Sequence, residues 1–369
     1  MSEHKIEVVP VKLEKHPNAD TLSIVRVKGY QVIVRTEDWI GQDLGVYVPP
    51  DYVMPQIPCV EFLRGVCKVT WGRLKDAEAP NDWMSGYRIK TKKFRGEWSQ
   101  GLLLPVSAVW EAFNLRKHAE LVPPEISQNV RFESGKDVMT MMGIGRYEPK
   151  PSEFAKVYGG DEVSPPTIPV PVYDVQSFYD YPDLLVPGET VIVTEKIHGT
   201  NARYVYHDGQ FYVGSHKTWK KENGASIYWR ILRQTPGLEG FLTDHPDTVL
   251  FGEIFGDVQD LTYGRRKGSG DVDIRFFDVM SPEGMYEDMY SMDEPIHHAF
   301  VEEGLKPVPI LARVPYSEQT LKEMSVGKSF LAPEQIREGI VIRPEQPRTD
   351  KHIGRVVLKI VSNEYLERQ

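Results

Sequence analysis

The decapeptide TEKIHGTNAR, residues 194–203, sets a lysine directly after an apolar run and directly before His-Gly-Thr-Asn. The preceding Val-Ile-Val reads as a buried strand. The following ARYVYHDGQFYVGS alternates apolar and polar residues about Asp208-Gly209, the pattern of a β-hairpin. Lys196 therefore stands where a core strand ends, and Gly199 lets the backbone turn closely around something. A lysine so placed is either an ordinary surface residue or a reactive amine. A free lysine titrates near ~10.4 and is mostly an inert ammonium at neutral pH. A neighbouring divalent cation or other positive charge would favour the neutral, nucleophilic form.

Four further chemical groups sit at expected strand ends: Glu253 in FGEIFG, the Phe-Phe-Asp of IRFFDVM, Glu338 in EGIVIR and Lys359 in VLKIVSNEY. Each alone has a bland reading as a solvated surface charge or a core aromatic. Three basic stretches accompany them: RIKTKKFR (88–95), HKTWKK (216–221) and Arg265-Arg266-Lys267. A solvated face accounts for any one of these. On a chain of net charge −9, such clusters point to a localised anionic ligand rather than indiscriminate coating of nucleic acid.

The elements that must position these groups fall into two halves. Residues 1–120 hold short β-rich runs with turn residues between them, which reads as a small barrel or sandwich. EAFNLRKHAELV predicts a helix. Residues 121–170 then carry that helix's end and a proline-rich connection, which disfavours regular pairing. Residues 171–369 mix strands (VIVTEK, ARYVYHD, QFYVGS, TVLFGEIFG, DIRFFDVM, EGIVIRP, RVVLKIV) with helices (SIYWRILRQ, DEPIHHAFVEEGL and SEQTLKEMSV, the last with Ser317 as N-cap). Hairpins interspersed with helices predict an α+β domain with largely antiparallel sheets.

No apolar run approaches the ~20 residues of a membrane helix, and the opening MSEHKIEVVP lacks the order of a secretory signal. Two cysteines, Cys59 and Cys67, do not make a disulfide framework or a metal site by themselves. A cytoplasmic, reducing setting and a monomer are expected, with no membrane partner.

Taken together and in order, the second-half motifs resemble those of the covalent nucleotidyltransferases, the superfamily of polynucleotide ligases and RNA capping enzymes. His-Gly-Thr-Asn is similar to the first motif of RNA ligases. HPNADTLSIVRV and GEWSQGLLLP resemble an OB-fold of the tRNA-binding kind, so the whole looks like the ATP-dependent RNA ligase branch with an N-terminal OB domain. The resemblance implies an all-β OB-fold domain followed by an α+β nucleotidyltransferase domain with mainly antiparallel sheets. It implies that Lys196 attacks ATP, carries AMP, passes it to an RNA 5′-phosphate, and that a 3′-hydroxyl then displaces AMP. The RNA could be a nicked duplex. Nucleotide binding would fall to Glu195, Ile197 (through backbone groups at the adenine edge), His198, Asn201, Lys217, Glu253 (ribose), Phe277 (stacked on adenine), Glu338 and Lys359. Mg²⁺ or Mn²⁺ would be held by Glu338 and Asp278, directly or through water. Lys90, Lys92, Lys93 and Arg95 of RIKTKKFR would track the RNA backbone.

The chain departs from that pattern twice. The basic motif after the hairpin reads Ser215-His216-Lys217 instead of centring on arginine, which loses the planar fork. The last motif has Val361 where a second lysine is common, so Arg343, Lys351 or Arg355 would have to serve the pyrophosphate. Arg203 is either a phosphate contact or an outward strand residue. Two other readings compete: a GTP-dependent capping-type guanylyltransferase, and a non-catalytic OB-fold RNA-binding protein.

Overall fold

A computed structural model describes residues 5–74, 83–117, 132–147 and 161–368. The chain divides into two compact units, one centred on residues 3–149 with 179–182, the other on residues 150–178 and 183–365.

In the first unit, alternating apolar residues give half-buried strands. Glu7–Pro10, Leu44–Val48 and Leu102–Pro105 form one antiparallel sheet, and Leu22–Val27 pairs with Tyr30–Arg35 in a hairpin. Tyr52–Pro55, Val69–Leu74, Trp83–Arg88 and Gly145–Tyr147 close into a barrel around Val8, Val46, Met54, Val109 and Ile144. Closure brings backbones so near that a Cβ on Gly86 would lie 1.9 Å from the Met54 carbonyl oxygen. The expected helix begins earlier than its sequence pattern, at Val106, directly after the strand ending at Pro105, and is described to Lys117. Its expected end, residues 118–122, lies outside the described residues, as do residues 148–160 of the proline-rich stretch. The described remainder of that stretch is not wholly unpaired, because Glu162–Val163 adds to a sheet edge beside Trp219–Lys220.

The second unit is two mainly antiparallel sheets with helices. A six-stranded sheet runs in the order 162–163, 219–220, 210–215, 200–207, 249–256, 272–280, and a five-stranded sheet in the order 176–177, 358–361, 339–344, 190–196, 310–315. The sole parallel pairing among the described strands is Gln176–Ser177 with Leu358–Lys359. The helices Ile227–Gln234, Pro295–Glu302 and Glu318–Ser325 fall where the pattern predicts, although the Ser317 side chain makes no capping bond. Two short helices, Leu238–Asp244 and Asn363–Arg368, and the strand Ile310–Pro315 were not expected.

Strand alternation decides which side chains meet. Ala202, Tyr204, Leu250, Ile254, Ile274 and Phe276 pack into one core with Phe241 and Phe300. The opposite face of the six-stranded sheet carries Asn201, in register with Glu253, which is in turn opposite Arg275. At Phe251/Gly252 the register slips: Phe251 pairs with Asp278 and Gly252 with Phe276, so Phe277 has no partner across the ladder. This is a β-bulge, a device that re-aims a side chain.

Candidate active site

Lys196 is the last residue of the Thr190–Lys196 strand and lies opposite Gly339. The next strand starts at Thr200 in the other sheet, so residues 197–199 must cross between sheets in three steps. Ile197 anchors the crossing in the core. Gly199 is required there, because a Cβ would lie 2.0 Å from the Ile254 carbonyl oxygen. The close approach expected of this glycine is thus to the neighbouring strand.

The crossing brings Lys196, His198, Asn201, Glu253 and Glu338 together. Lys196 Nζ donates to Glu338 Oε1 at 2.6 Å. His198 Nε2 lies 2.7 Å from Asp260 Oδ1, and His198 Nδ1 lies 3.7 Å from Glu338 Oε2. The His198 ring packs against Tyr365, whose hydroxyl reaches its nitrogens, and the His198 backbone N–H donates to the Tyr263 hydroxyl at 2.6 Å. Asp260, Tyr263 and Tyr365 were not singled out in the sequence. They follow no local spacing rule, and only the folded chain brings them to His198.

The electrostatics of the cluster are mutual. Burial opposes the Lys196 ammonium, but the charges of Glu338 and Glu253 outweigh it and raise the lysine above its ordinary value. The surroundings therefore hold the amine protonated, the reverse of what a neighbouring cation would do. Burial would raise the Glu338 carboxyl, yet Lys196 and His198 pull it below the ordinary range. Glu253 shows the opposite balance: burial wins over Lys196 and pushes it up to about 7. For His198, burial opposes the charge, but the hydrogen bond to Asp260 and the nearby Glu338 carboxylate carry it to about 9. Two buried oxygens, Asn201 Oδ1 and Glu338 Oε2, have no hydrogen-bond partner among the described residues. An unmatched buried acceptor costs about 1–3 kcal/mol, so these atoms await a donor or a cation.

Other expected residues lie elsewhere in the domain. Lys359 shares the Lys196 face of the five-stranded sheet, through the register Thr194, Val341, Lys359. Glu195 points to the opposite face, where its Oε2 accepts the Phe330 N–H at 2.8 Å. Lys217 is exposed in the tight turn closed by Ser215 and Thr218, while His216 bonds to Asp174. Phe277 is partly buried at the bulge, its ring 5.0 Å from that of Tyr173, whereas Phe276 is fully buried. Arg203 is neither a phosphate contact nor outward-facing. It is buried under Trp219 and donates to the Ser215 and Pro171 carbonyl oxygens, and burial lowers its guanidinium to about 10.

Asp278 does not join the Lys196 cluster. It is fully buried, its Oδ1 accepting from Arg355 at 2.7 Å and from the Val279 N–H, its Oδ2 from the Tyr173 hydroxyl, with Arg343 3.7 Å away. Both oxygens of this carboxylate are thus already engaged within the fold. Arg343 and Arg355, two candidates for the missing cation of the last motif, are held by this carboxylate. Lys351 is exposed.

In the first unit the basic run divides. Arg88 pairs with Asp51 and lies over Tyr147, and Lys92 Nζ donates to the Val66 carbonyl oxygen. Lys93 lies 5.2 Å from the Trp98 ring, and Arg95 caps an exposed turn with φ +49°. Lys90 is lowered, first by burial and then by Arg88, with Lys68 and Lys92 adding to the repulsion, which marks a locally electropositive surface.

Comparison with known proteins bears on the same span. The RNA ligase family model matches residues 189–361, the span that contains the whole Lys196 cluster. Over residues 189–361 the chain is therefore similar to the RNA ligase family. An OB-fold domain model matches residues 5–106, ahead of that span. Among solved structures, Naegleria gruberi RNA ligase with PPi superposes with a TM-score of 0.73 at 22% identity, covering 100% of this chain and 99% of that one. Variants of the same protein with AMP and Mn (TM-score 0.74, 22% identity) and with ATP and Mn (0.72, 21%) each cover 99% of both chains. At that identity the likeness establishes the fold. No curated protein matches the sequence.

Proposed function

We propose that the protein is an ATP-dependent RNA ligase that joins a 3′-hydroxyl to a 5′-phosphate through a lysyl-AMP intermediate, in the repair of broken RNA. The observation that carries this is the Lys196 amine, held at the end of a strand between buried carboxylates inside the span that is similar to the RNA ligase family. The likeness to Naegleria ligase structures captured with ATP, AMP and Mn supports the nucleotide.

In the first step the neutral Lys196 nitrogen attacks the α-phosphorus of ATP. The N–P bond forms, the bond to the bridging oxygen breaks, and pyrophosphate leaves with the electron pair. An oxygen of the RNA 5′-phosphate then attacks the same phosphorus and returns the amine to Lys196. Finally the 3′-hydroxyl attacks the activated 5′-phosphorus and AMP departs. Lys196 must first lose its proton, so Glu338 and Glu253 hold the ground state until charge in the pocket changes. Glu253 accepts from ribose hydroxyls, Phe277 stacks on adenine, the backbone at Ile197 meets the adenine edge, and Lys359 faces the phosphates. His198, fixed between Asp260 and Tyr365, is placed to donate to a phosphate oxygen. Lys217 could reach phosphate from its exposed turn, and Glu195 supports the loop at Phe330 rather than touching nucleotide.

The residues also fit a divalent cation at one place. Glu338 and Asn201 present the two orphaned oxygens, and no group of three His, Cys, Asp or Glu among the described residues forms a closed metal cage, as suits an ion bound partly through water and phosphates. Such an ion would neutralise charge on the phosphates and on the leaving group. Asp278 plays no part in holding it. In the OB-fold, Lys90, Lys92, Lys93 and Arg95 supply cations to the RNA backbone.

Incubation with Mg²⁺ and ATP or GTP, each labelled at the α-phosphate, tests the reading. Label from ATP, chased into sealed RNA by 5′-phosphate and 3′-hydroxyl ends, is the expected result. Label from GTP would make the protein a capping-type enzyme, and no label would leave it a binding protein.

A further inference from the structure

The third basic stretch, Arg265-Arg266-Lys267, takes no part in the chemistry above, yet its loop is tied to the nucleophile's turn. Gln259 Nε2 donates to the Gly199 carbonyl oxygen at 3.3 Å, Asp260 pairs with His198 at 2.7 Å, and the Tyr263 hydroxyl accepts the His198 N–H at 2.6 Å. The Tyr263 N–H in turn donates to Gln335 Oε1 at 2.9 Å, three residues before Glu338. Tyr263 holds φ +52°, a left-handed conformation that is costly for a bulky side chain. From there the chain folds back through Gly264, Gly268 and Gly270, all at positive φ. The returning end is fixed too: the Gly270 N–H donates to Asp257 Oδ2 at 2.8 Å, and the Gly270 carbonyl oxygen accepts from Arg230 at 2.7 Å.

The charges of this loop are sorted. Arg265 pairs with Asp271 at 3.0 Å and Asp273 at 2.6 Å, and Arg275 adds a contact to Asp273 at 3.2 Å. Asp271 and Asp273 are thereby neutralised. Arg266 and Lys267 are exposed and make no ion pair with any described residue. A solubilising pair of cations needs only a surface. This pair is instead carried by a strained loop pinned at both ends, and one of those pins is the turn that follows Lys196. The result is two exposed cations on a loop whose start is bonded to the turn that follows Lys196.

We propose that Arg266 and Lys267 bind the phosphate backbone of the RNA next to the 5′ end that receives AMP, so that the ligase domain carries its own RNA contact apart from the OB-fold. This rests on the ligase reading above. The ligand class is a polynucleotide backbone. An ATP phosphate in the same place is the competing outcome.

The double variant Arg266→Ala/Lys267→Ala of the full chain tests it, with binding of a labelled 5′-phosphate RNA followed by anisotropy from low to high salt. Losing two phosphate contacts should reduce the slope of log K against log salt by about 1.4–1.8 and weaken binding roughly ten- to a hundredfold at low salt. Self-adenylylation and its KM for ATP should be unchanged, as should the melting temperature. A control with Lys306→Ala and Lys322→Ala removes the same charge elsewhere and should leave the slope alone. Unchanged RNA affinity and slope would overturn the proposal. So would an equal loss in the control, or a raised KM for ATP without loss of RNA binding. If the wild-type protein takes no label from ATP, the ligase reading falls, while the binding slopes still decide the role of the loop.

Discussion

Glu338 and Asp278 are both buried carboxylates paired with cations in the same domain, and they differ in what is left over. Asp278 has both oxygens occupied, by Arg355, the Val279 amide and Tyr173, with Arg343 in addition. Glu338 gives one oxygen to Lys196 and keeps the other without a hydrogen bond. Its neighbours Asn201 and Glu253 are also unsettled, the first by an orphaned oxygen, the second by a carboxyl raised to about 7. Around Asp278 the unmatched atoms are donors, Nε and Nη1 of the buried Arg343, whereas around Glu338 they are acceptors, which suit a cation or an incoming donor. By motif order the two carboxylates look alike, and only their partners tell them apart.

The largest effect should come from the cluster around Glu338. Lys196→Ala is expected to abolish AMP labelling while leaving the melting temperature within a few degrees of wild type. Acid-stable, lysine-linked AMP on that variant would show that another lysine is the nucleophile. Glu338→Ala should likewise lose adenylylation severely, with a smaller stability cost because the Glu253 carboxylate remains to face the Lys196 ammonium. Asp278→Ala should invert this pattern, because it leaves Arg355 and Arg343 buried without their counter-ion, a change that costs about 3–5 kcal/mol. Denaturant titration of the two variants side by side measures the contrast. If Glu338→Ala unfolds the domain and Asp278→Ala only slows chemistry, the assignment of the two clusters is reversed.

A smaller effect separates the two phenylalanines before Asp278. Phe276 is fully buried against Tyr204 and Phe300, so Phe276→Ala should act on stability, by about 3–5 kcal/mol. Phe277, set free by the bulge, should act on nucleotide binding. Aromatic stacking on a base contributes on the order of 1–3 kcal/mol, so Phe277→Ala should raise the KM for ATP roughly ten- to a hundredfold, with Phe277→Leu intermediate. Equal effects of both alanine variants on KM and on stability would mean that the bulge does not divide their roles.

These positions also show how far the sequence could be read. The strand pattern located the strands around Lys196, Glu253, Phe277, Glu338 and Lys359, because buried strands are apolar and their ends are marked by charge and glycine. Motif order named Lys196 and most of the side chains that the fold gathers around it. What it misplaced were side chains whose partners are remote in sequence: Asp278 meets Arg343 and Arg355 more than 60 residues on, and Arg203 finds Trp219 and Pro171. Tyr365, which orients His198 from 167 residues away, gave no local signal at all. Glu195 was assigned to nucleotide although strand alternation already sets it on the face opposite Lys196.

The smallest expected effect concerns Glu253 and the pH dependence of stability. Its carboxyl titrates at about 7 in the folded protein against an ordinary 4.5, burial being the largest cause. Between those values the native state binds more protons at this site than the unfolded chain does. The contribution of the group therefore makes stability fall as pH rises from 4.5 to 7, and the loss is complete above 7. Glu253→Gln removes the titration but keeps a side chain of similar shape. Relative to wild type, it should be neutral near pH 4.5 and more stable by about 1–3 kcal/mol at pH 8. The same substitution should weaken use of ATP, since an amide accepts from the ribose hydroxyls less strongly than a carboxylate does. Unfolding free energies of both proteins at pH 4.5, 6, 7 and 8 give the test. A difference that stays flat across that range would mean that Glu253 is ionised throughout, and that the carboxylates around Lys196 are as fully engaged as Asp278.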